Sequence, residues 1–458
     1  MVLAHSVTIS SITLKPLNLN YKPMKRTSLL GMVTLLLLFV GCEKSFEGEV
    51  SQPTNSHYVP LEKALSELDN VLELLNIETK AQGITREYSR TNILTVTKDC
   101  ATRMTKSGSS DEFNLPDELL YIVNFNDEMG AALLSADDRT GDIVLCVTES
   151  GAFDEDDFYA ASEMLSSLTP ITKSNEVVSD DDFTSDLGEL TIPSLVLSNI
   201  VLSINSVSRT ENKELYTKAL SSETKYGPYV PVKWGQEYVG ADHTNKVFSR
   251  YTPHNYPAGC VVIATAQILM TNSNFSFSHN GYPCYRSTML GVAHYSNPSY
   301  AGSSSAQEQA AYFVWGLGDN SLLCNVSYGS NGTSGTINGA KRALEAFLYS
   351  NVTKHSGFGS SNQSLATSQL EAGRPVYMGG KPSWSLSGHA WVLDGVWGNY
   401  YHINWGWDGA WDGYYAKGVF DTTNRSSYDS IIDAGTHEWH TQNDHNYTWL
   451  FNMLTYSL

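Results

Sequence analysis

Positive charge is scarce in this chain. Twenty-nine Lys and Arg face forty-eight Asp and Glu, a net charge of −19, and the pI is near 5.0. Without a basic footprint, nucleic acid is excluded as the expected partner. Cysteine is also sparse: six in 458 residues, spread along the chain, form no dense disulfide framework. Bridging of Cys284 with Cys324, or of Cys100 with Cys146, stays open at this level. Long apolar runs are lacking too. Leu29–Val40 covers twelve positions, too few to span the ~30 Å of a bilayer interior. No metal-hydrolase motif surrounds His437, His440 and His445, which read as surface histidines, because a zinc site needs several convergent ligands. Asp408 and Asp412 read as turn residues of a Gly-Trp-rich loop rather than calcium ligands. No metal and no cofactor is expected.

Two segments carry chemistry instead. Tyr256-Pro-Ala-Gly-Cys260 leads into Val261–Met270, where only Thr265 and Gln267 are polar. A helix apolar nearly all round belongs inside a domain, and Pro257 and Gly259 suit the turn before it. The free amides and positive dipole end at its N-terminus favour a thiolate on Cys260, which predicts a lowered thiol pKa. The second segment starts at Gly388-His389. Ala390–Leu393 and Tyr400–Trp405 read as strands, with a loop over Asp394–Asn399. That register would set His389 opposite Asn404, within reach of a hydrogen bond that fixes the imidazole tautomer. Trp405 and Trp407 would screen that bond from water. A thiol, an imidazole and an amide in this order suit acyl transfer through a thioester.

At the N-terminus, Met24-Lys25-Arg26 followed by Leu29–Val40 reads as a signal peptide, with Met24 as an alternative start. Leu38-Phe-Val-Gly-Cys42 resembles a bacterial lipobox with Cys42 as the lipidated residue. Acylation there would anchor the precursor to a membrane without a spanning helix. Further on, Leu61, Ala64, Leu65, Leu68, Val71, Leu72 and Leu75 share one helical face behind Pro60. Leu120–Phe125, Ala131–Ala136 and Ile143–Val147 read as short strands. Residues 151–190 hold eleven acidic residues and Lys173 alone as a base, a composition that predicts mobility.

Several separated blocks together resemble the streptopain-like cysteine peptidases. These are Val232-Lys-Trp-Gly-Gln236, Pro257-Ala-Gly-Cys260, Ser327-Tyr-Gly with Thr333-Ser-Gly335, Gly373-Arg-Pro-Val-Tyr377, Gly388-His389-Ala and His402-Ile-Asn-Trp-Gly-Trp407. The resemblance covers Val230 to about Phe420. It implies an α+β, papain-like catalytic domain, a buried central helix packed on an antiparallel sheet, behind an α+β inhibitory prodomain. It further implies Cys260 as nucleophile, His389 as general acid/base, Gln236 as an oxyanion donor, and Asn404 and Trp405 as residues that orient and shield the imidazole. A hydrophobic preference at the second residue before the cut is implied as well. The chain departs from the family after Gln236 and at Asp408, where a glycine is common.

The expected organisation is a signal peptide over 1–41, a lipid-anchored prodomain over 42–205, a maturation linker over 206–226 and a catalytic domain over 227–458. Protein and peptide substrates and the chain's own propeptide are the expected partners, with membrane contact only through the lipid. The expected location is the bacterial cell envelope, the mature enzyme being released. Two other classes fit part of the pattern. One is a non-enzymatic surface-binding lipoprotein on the same fold. The other is a transglutaminase-like acyltransferase with Asp394 as orienter, which the position of Asp394 suits poorly.

Overall fold

The computed structural model describes residues 57–79, 85–102, 115–167, 182–184, 191–205, 223–240, 244–330, 332–347, 349–382, 388–420 and 449–457. All lie within one unit, residues 55–458. The signal segment, Cys42, most of the 206–226 linker and the histidines at 437–445 lie outside the described residues.

The amphipathic segment behind Pro60 forms helix α1 (Leu61–Thr79), with Leu65, Leu68 and Leu72 buried on one face. Strands β1 (Ile93–Thr97), β2 (Glu118–Asn124), β3 (Ala131–Ser135) and β4 (Val144–Thr148) make an antiparallel meander. The predicted strands are thus present within a residue or two. The acidic segment differs from expectation. Glu155–Ser167 is a helix, α2, whose Phe158, Ala161 and Ser162 are buried. Its acids crowd the first turn, where the helix dipole favours them, and its apolar residues pack inward. Residues 168–181 and 185–190 lie outside the described residues. A short strand β5 (Asp182–Thr184) and an apolar helix α3 (Ile192–Asn205) complete this half.

The C-terminal half begins with β6 (Lys225–Tyr226), then helix α4 (Cys260–Thr271), helix α5 (Ser304–Asp319), strand β7 (Ser334–Thr336), helix α6 (Ile337–Ala346), strand β8 (Ser350–Ser356) and helix α7 (Ser360–Glu371). Strands β9 (Val376–Pro382), β10 (His389–Trp397), β11 (Tyr400–Asn404), β12 (Gly413–Ala416) and β13 (Trp449–Ser457) follow. The two halves share one eleven-stranded sheet, in the order β1-β2-β3-β4-β12-β11-β10-β9-β13-β8, with β6 paired to β10. The seam is β4 against β12, with Thr148 opposite Gly413 and Cys146 opposite Tyr415. The fold is α+β with a large antiparallel sheet.

The core divides by sheet face rather than by half. Alternate residues of β10 point opposite ways, as strand pleating requires. Trp391 and Leu393 join a core with α1, β2, β3 and α3, whereas Ala390 and Val392 join one with α4, α5 and α6. The described cysteines, Cys100, Cys146, Cys260, Cys284 and Cys324, are all buried, and no disulfide joins any two of them.

The β10–β11 hairpin corrects the expected register. Both strands run on to Trp397 and Tyr400, leaving Gly398 and Asn399 as the turn, and Asn404 pairs with Val392 rather than with His389. A bulge between Leu393 and Gly395 shifts the ladder. Asp394 and Gly395 look like turn residues in sequence, yet both find partners inside the sheet. Asp394 accepts from His402 at 2.6 Å. A side chain on Gly395 would meet the Tyr226 carbonyl at 2.9 Å.

Candidate active site

Helix α4 is buried from Cys260 through Met270, so its apolar composition is satisfied all round. Gly259 caps it at φ +92, a conformation glycine adopts freely, and a β-carbon there would lie 2.9 Å from Thr333. The loop before the helix is tied to the oxyanion candidate: Ala258 N donates to the Gln236 carbonyl at 2.9 Å. Gln236 is 7 % exposed, and neither its Oε1 nor its Nε2 has a hydrogen-bond partner among the described residues. A buried amide without partners is costly, so its free N–H groups are available to an incoming acceptor. Gly335 of β7 packs on the other side, where a β-carbon would sit 3.0 Å from Val261.

Helix α4 packs on β10, and Cys260 shares a core with Ala390, the residue that follows His389. Burial pushes the thiol up to about 11, and the amides of Ala390, Val261 and Cys260 oppose this without overcoming it. This reverses the expected lowering. The helix dipole acts on a thiol that is 1 % exposed, and desolvation of the thiolate is the larger effect. His389, 4 % exposed, is shifted the opposite way, down to about 4, again by burial. Both groups are therefore neutral near pH 7.

His389 Nε2 donates to the Trp405 carbonyl at 2.7 Å. A carbonyl only accepts, so the proton sits on Nε2 and Nδ1 is the free basic nitrogen. The Trp407 ring stacks on the imidazole with centroids 4.6 Å apart, whereas Trp405 is 6.4 Å away and stacks on Trp407. Trp405 thus orients the imidazole through its backbone, and Trp407 is the nearer shield. Asn404 is occupied elsewhere. Its Oδ1 accepts from Gln267 Nε2 at 2.8 Å and Gly406 N at 3.1 Å, and its Nδ2 donates to the Val232 carbonyl at 3.0 Å. It pins α4 to the hairpin and to the strand leading to Gln236.

Gln267 in this bracing role, and Asp408 and Asp412, escaped the sequence reading. Asp408 packs against Gly235, next to Gln236, so closely that a β-carbon there would overlap its carboxylate, and burial raises its carboxyl to about 8. Asp412 Oδ1 accepts from Trp405 N at 2.9 Å. Gln267 carried a signal, as a polar residue in an apolar helix. The aspartates carried none beyond their turn-like setting.

Residues 234–415 match the family model described as the Peptidase C10 family. The match is confined to this segment, under half of the chain. The chain is a cysteine-type peptidase, a hydrolase. Among solved structures it is similar to a mutant fragment of prointerpain A from Prevotella intermedia, at 16 % identity and a TM-score of 0.43, over 74 % of this chain and 95 % of that one. No curated protein matches the chain.

Backbone pairing also brings the N-terminal half to this peptidase segment. Strand β5 runs antiparallel to β7, with Phe183 opposite Gly335 and Thr184 opposite Ser334.

Proposed function

We propose that the chain is the zymogen of a cysteine endopeptidase that works through Cys260 and His389. The observation that supports the reading is the packing of α4, which begins at Cys260, on β10, which begins at His389, inside the peptidase segment. His389 Nδ1 takes the thiol proton, and the thiolate attacks the scissile carbonyl. The Gln236 side chain and the Cys260 amide hold the resulting oxyanion. Collapse expels the amine, which takes the proton back from the imidazolium, and leaves a thioester. Water, deprotonated by the same imidazole, then releases the acid and frees the thiol. The Trp405 carbonyl and the Trp407 ring hold the imidazole in place.

Latency follows from burial in this reading. Cys260, His389 and Gln236 are covered, and the neutral states of the thiol and the imidazole are the less reactive ones. Strand β5, before the expected cleavage zone, lies along β7 as an extended substrate backbone would. The propeptide acts as the inhibitor, and cleavage within 206–226 frees the enzyme. The lipobox-like Cys42 heads the propeptide, so the precursor is held at the cell envelope and the mature enzyme is released.

Purified precursor incubated with reductant and followed by mass spectrometry tests this. Cleavage within 206–226 together with peptidase activity, both lost in Cys260→Ala, is the expected result. Cleavage that persists in Cys260→Ala would give maturation to another protease. Antibody to the catalytic domain then reports whether mature enzyme leaves the membrane fraction.

A further inference from the structure

At the β4–β12 seam the N-terminal half delivers one charge into the peptidase half. Glu149 follows the last residue of β4, and its backbone N donates to the Asp412 carbonyl at 2.7 Å. Its Oε2 accepts from Lys233 Nζ at 2.5 Å, and its Oε1 lies 3.3 Å from His402 Nε2 and 3.2 Å from the Tyr295 hydroxyl. The side chains of Lys233 and His402 are 7 % and 1 % exposed. Such cations demand partners, because an unpaired buried charge is strongly destabilising.

Each cation also has a carboxylate from its own half. His402 Nδ1 is 2.6 Å from Asp394 Oδ1. Lys233 Nζ is 3.8 Å from Asp412 Oδ2, an atom with no hydrogen bond in this state. If Glu149 departs, His402 keeps Asp394 and Lys233 has Asp412 within one short side-chain movement. Asp412 is not an isolated partner. Its other oxygen holds Trp405 N, and the Trp405 carbonyl holds His389.

We propose that Lys233 is a two-position switch: Glu149 of the propeptide holds its ammonium in the precursor, and after maturation it closes onto Asp412 and tightens the Trp405 peptide that orients His389. The proposal rests on the zymogen reading above and adds a coupling between propeptide occupancy and the imidazole. It makes Lys233 a positioning residue, one that acts on the imidazole through Asp412 and Trp405. The burial that raises the Asp412 carboxyl to about 6, against the pull of Lys233, agrees with a carboxylate not yet fully paired. Ser150, next in the chain, donates to the Gly409 carbonyl at 2.8 Å, so the same propeptide stretch also grips the loop that bears Asp412.

Full-length precursors carrying Glu149→Gln, Lys233→Met or both provide the test. Glu149→Gln should shorten the lag before peptidase activity by ~10-fold. The mature enzyme it yields has the wild-type sequence and should show wild-type kcat. Lys233→Met remains in the mature enzyme and should lower kcat by ~10-fold with KM unchanged, and adding Glu149→Gln to it should shorten the lag no further. In a Cys260→Ala background, where no activity is needed, Glu149→Gln should speed hydrogen exchange of amides 144–148 by ~10-fold. An unchanged lag in an otherwise active Glu149→Gln precursor, or unchanged exchange, would overturn the latch. Wild-type kcat in mature Lys233→Met would overturn the coupling. Absence of Cys260-dependent activity from every precursor would sink the peptidase mechanism instead, and the exchange experiment would still judge the latch.

Discussion

Two buried polar clusters lie close together in the peptidase half, and burial has opposite outcomes in them. Around His389 the neighbours are tryptophans and a carbonyl. With no counter-charge, desolvation drives thiol and imidazole to their neutral forms. Around His402 the neighbours are Asp394 and Glu149, and the imidazole is raised to about 9 although burial opposes this. Glu149 is held well below the ordinary carboxylate range by Lys233 and His402, against the same desolvation. Burial alone therefore does not set the charge of a histidine here; the presence of carboxylates does. One cluster is electrically silent, while the other is charged and holds the two halves together.

The sharpest way to break this comparison is to remove the silent pair. Cys260→Ala and His389→Ala should each abolish peptidase activity, a loss of up to ~10⁶-fold in kcat, with the double variant costing little more than either single one. Folding should survive, since neither group carries a charge in this state, and circular dichroism checks that. Residual turnover near the wild-type level in either variant would remove the thiol–imidazole mechanism.

The proposed oxyanion donor comes next. Gln236→Ala should lower kcat by ~10²–10³ while leaving KM nearly unchanged. Its amide has no hydrogen-bond partner among the described residues, so the loss belongs to the transition state and not to folding. A change confined to KM would reassign Gln236 to substrate binding.

The electrical silence can be read directly with iodoacetamide. In the precursor the thiol is pushed up to about 11, so at pH 7 its thiolate fraction is ~10⁻⁴. Alkylation of Cys260 should be more than ~10²-fold slower in the precursor than in mature enzyme, and should climb as pH approaches 11. Equal rates would mean that the propeptide does not hold the site neutral.

Much of this site was legible in the sequence because local rules and final environment agree there. The Cys260 helix is apolar and begins at a glycine with positive φ, so its position follows from Val261–Met270 and Gly259 alone. The meander β2–β3–β4 follows from short apolar runs. The hairpin misled because Asp394-Gly395 has turn chemistry, while His402, eight residues further on, supplies a partner that keeps Asp394 inside the sheet. Asn404 misled for a related reason. The residue opposite Asn404 is displaced by three, from His389 to Val392; an odd displacement puts a side chain on the other face, and here it turns toward Gln267. Glu149 could not be singled out in an acidic chain, since its burial depends on β4 pairing with β12, a contact between distant parts of the sequence. The acidic helix α2 was masked by its composition: the charges lie in its first turn, and Phe158 and Ala161 do the packing.

The smallest expected effect concerns Asp408, the carboxylate beside Gly235. It lies near the silent cluster, lacks a cationic partner, and is raised to about 8 by burial. Its folded pKa thus exceeds its ordinary value of 3.8, so the folded protein binds this proton more tightly than the unfolded chain does. Its contribution to stability is fully present below about 3.8 and is lost as pH rises toward about 8. Asp408→Asn keeps the shape but cannot ionise. The variant should match wild type in Tm near pH 5 and exceed it by a few degrees near pH 8.5, as a modest gain in stability implies. Asp412 and Glu237 also raise the Asp408 carboxyl, so the difference between the two Tm curves reports Asp408 together with its repulsion by these carboxylates. Activity should stay within about threefold, because Asp408 reaches the oxyanion site only through the backbone before Gln236. If Asp408→Asn is instead less stable at every pH, the carboxyl is ionised and paired in the folded protein, and the silent cluster extends no further than His389 and Cys260.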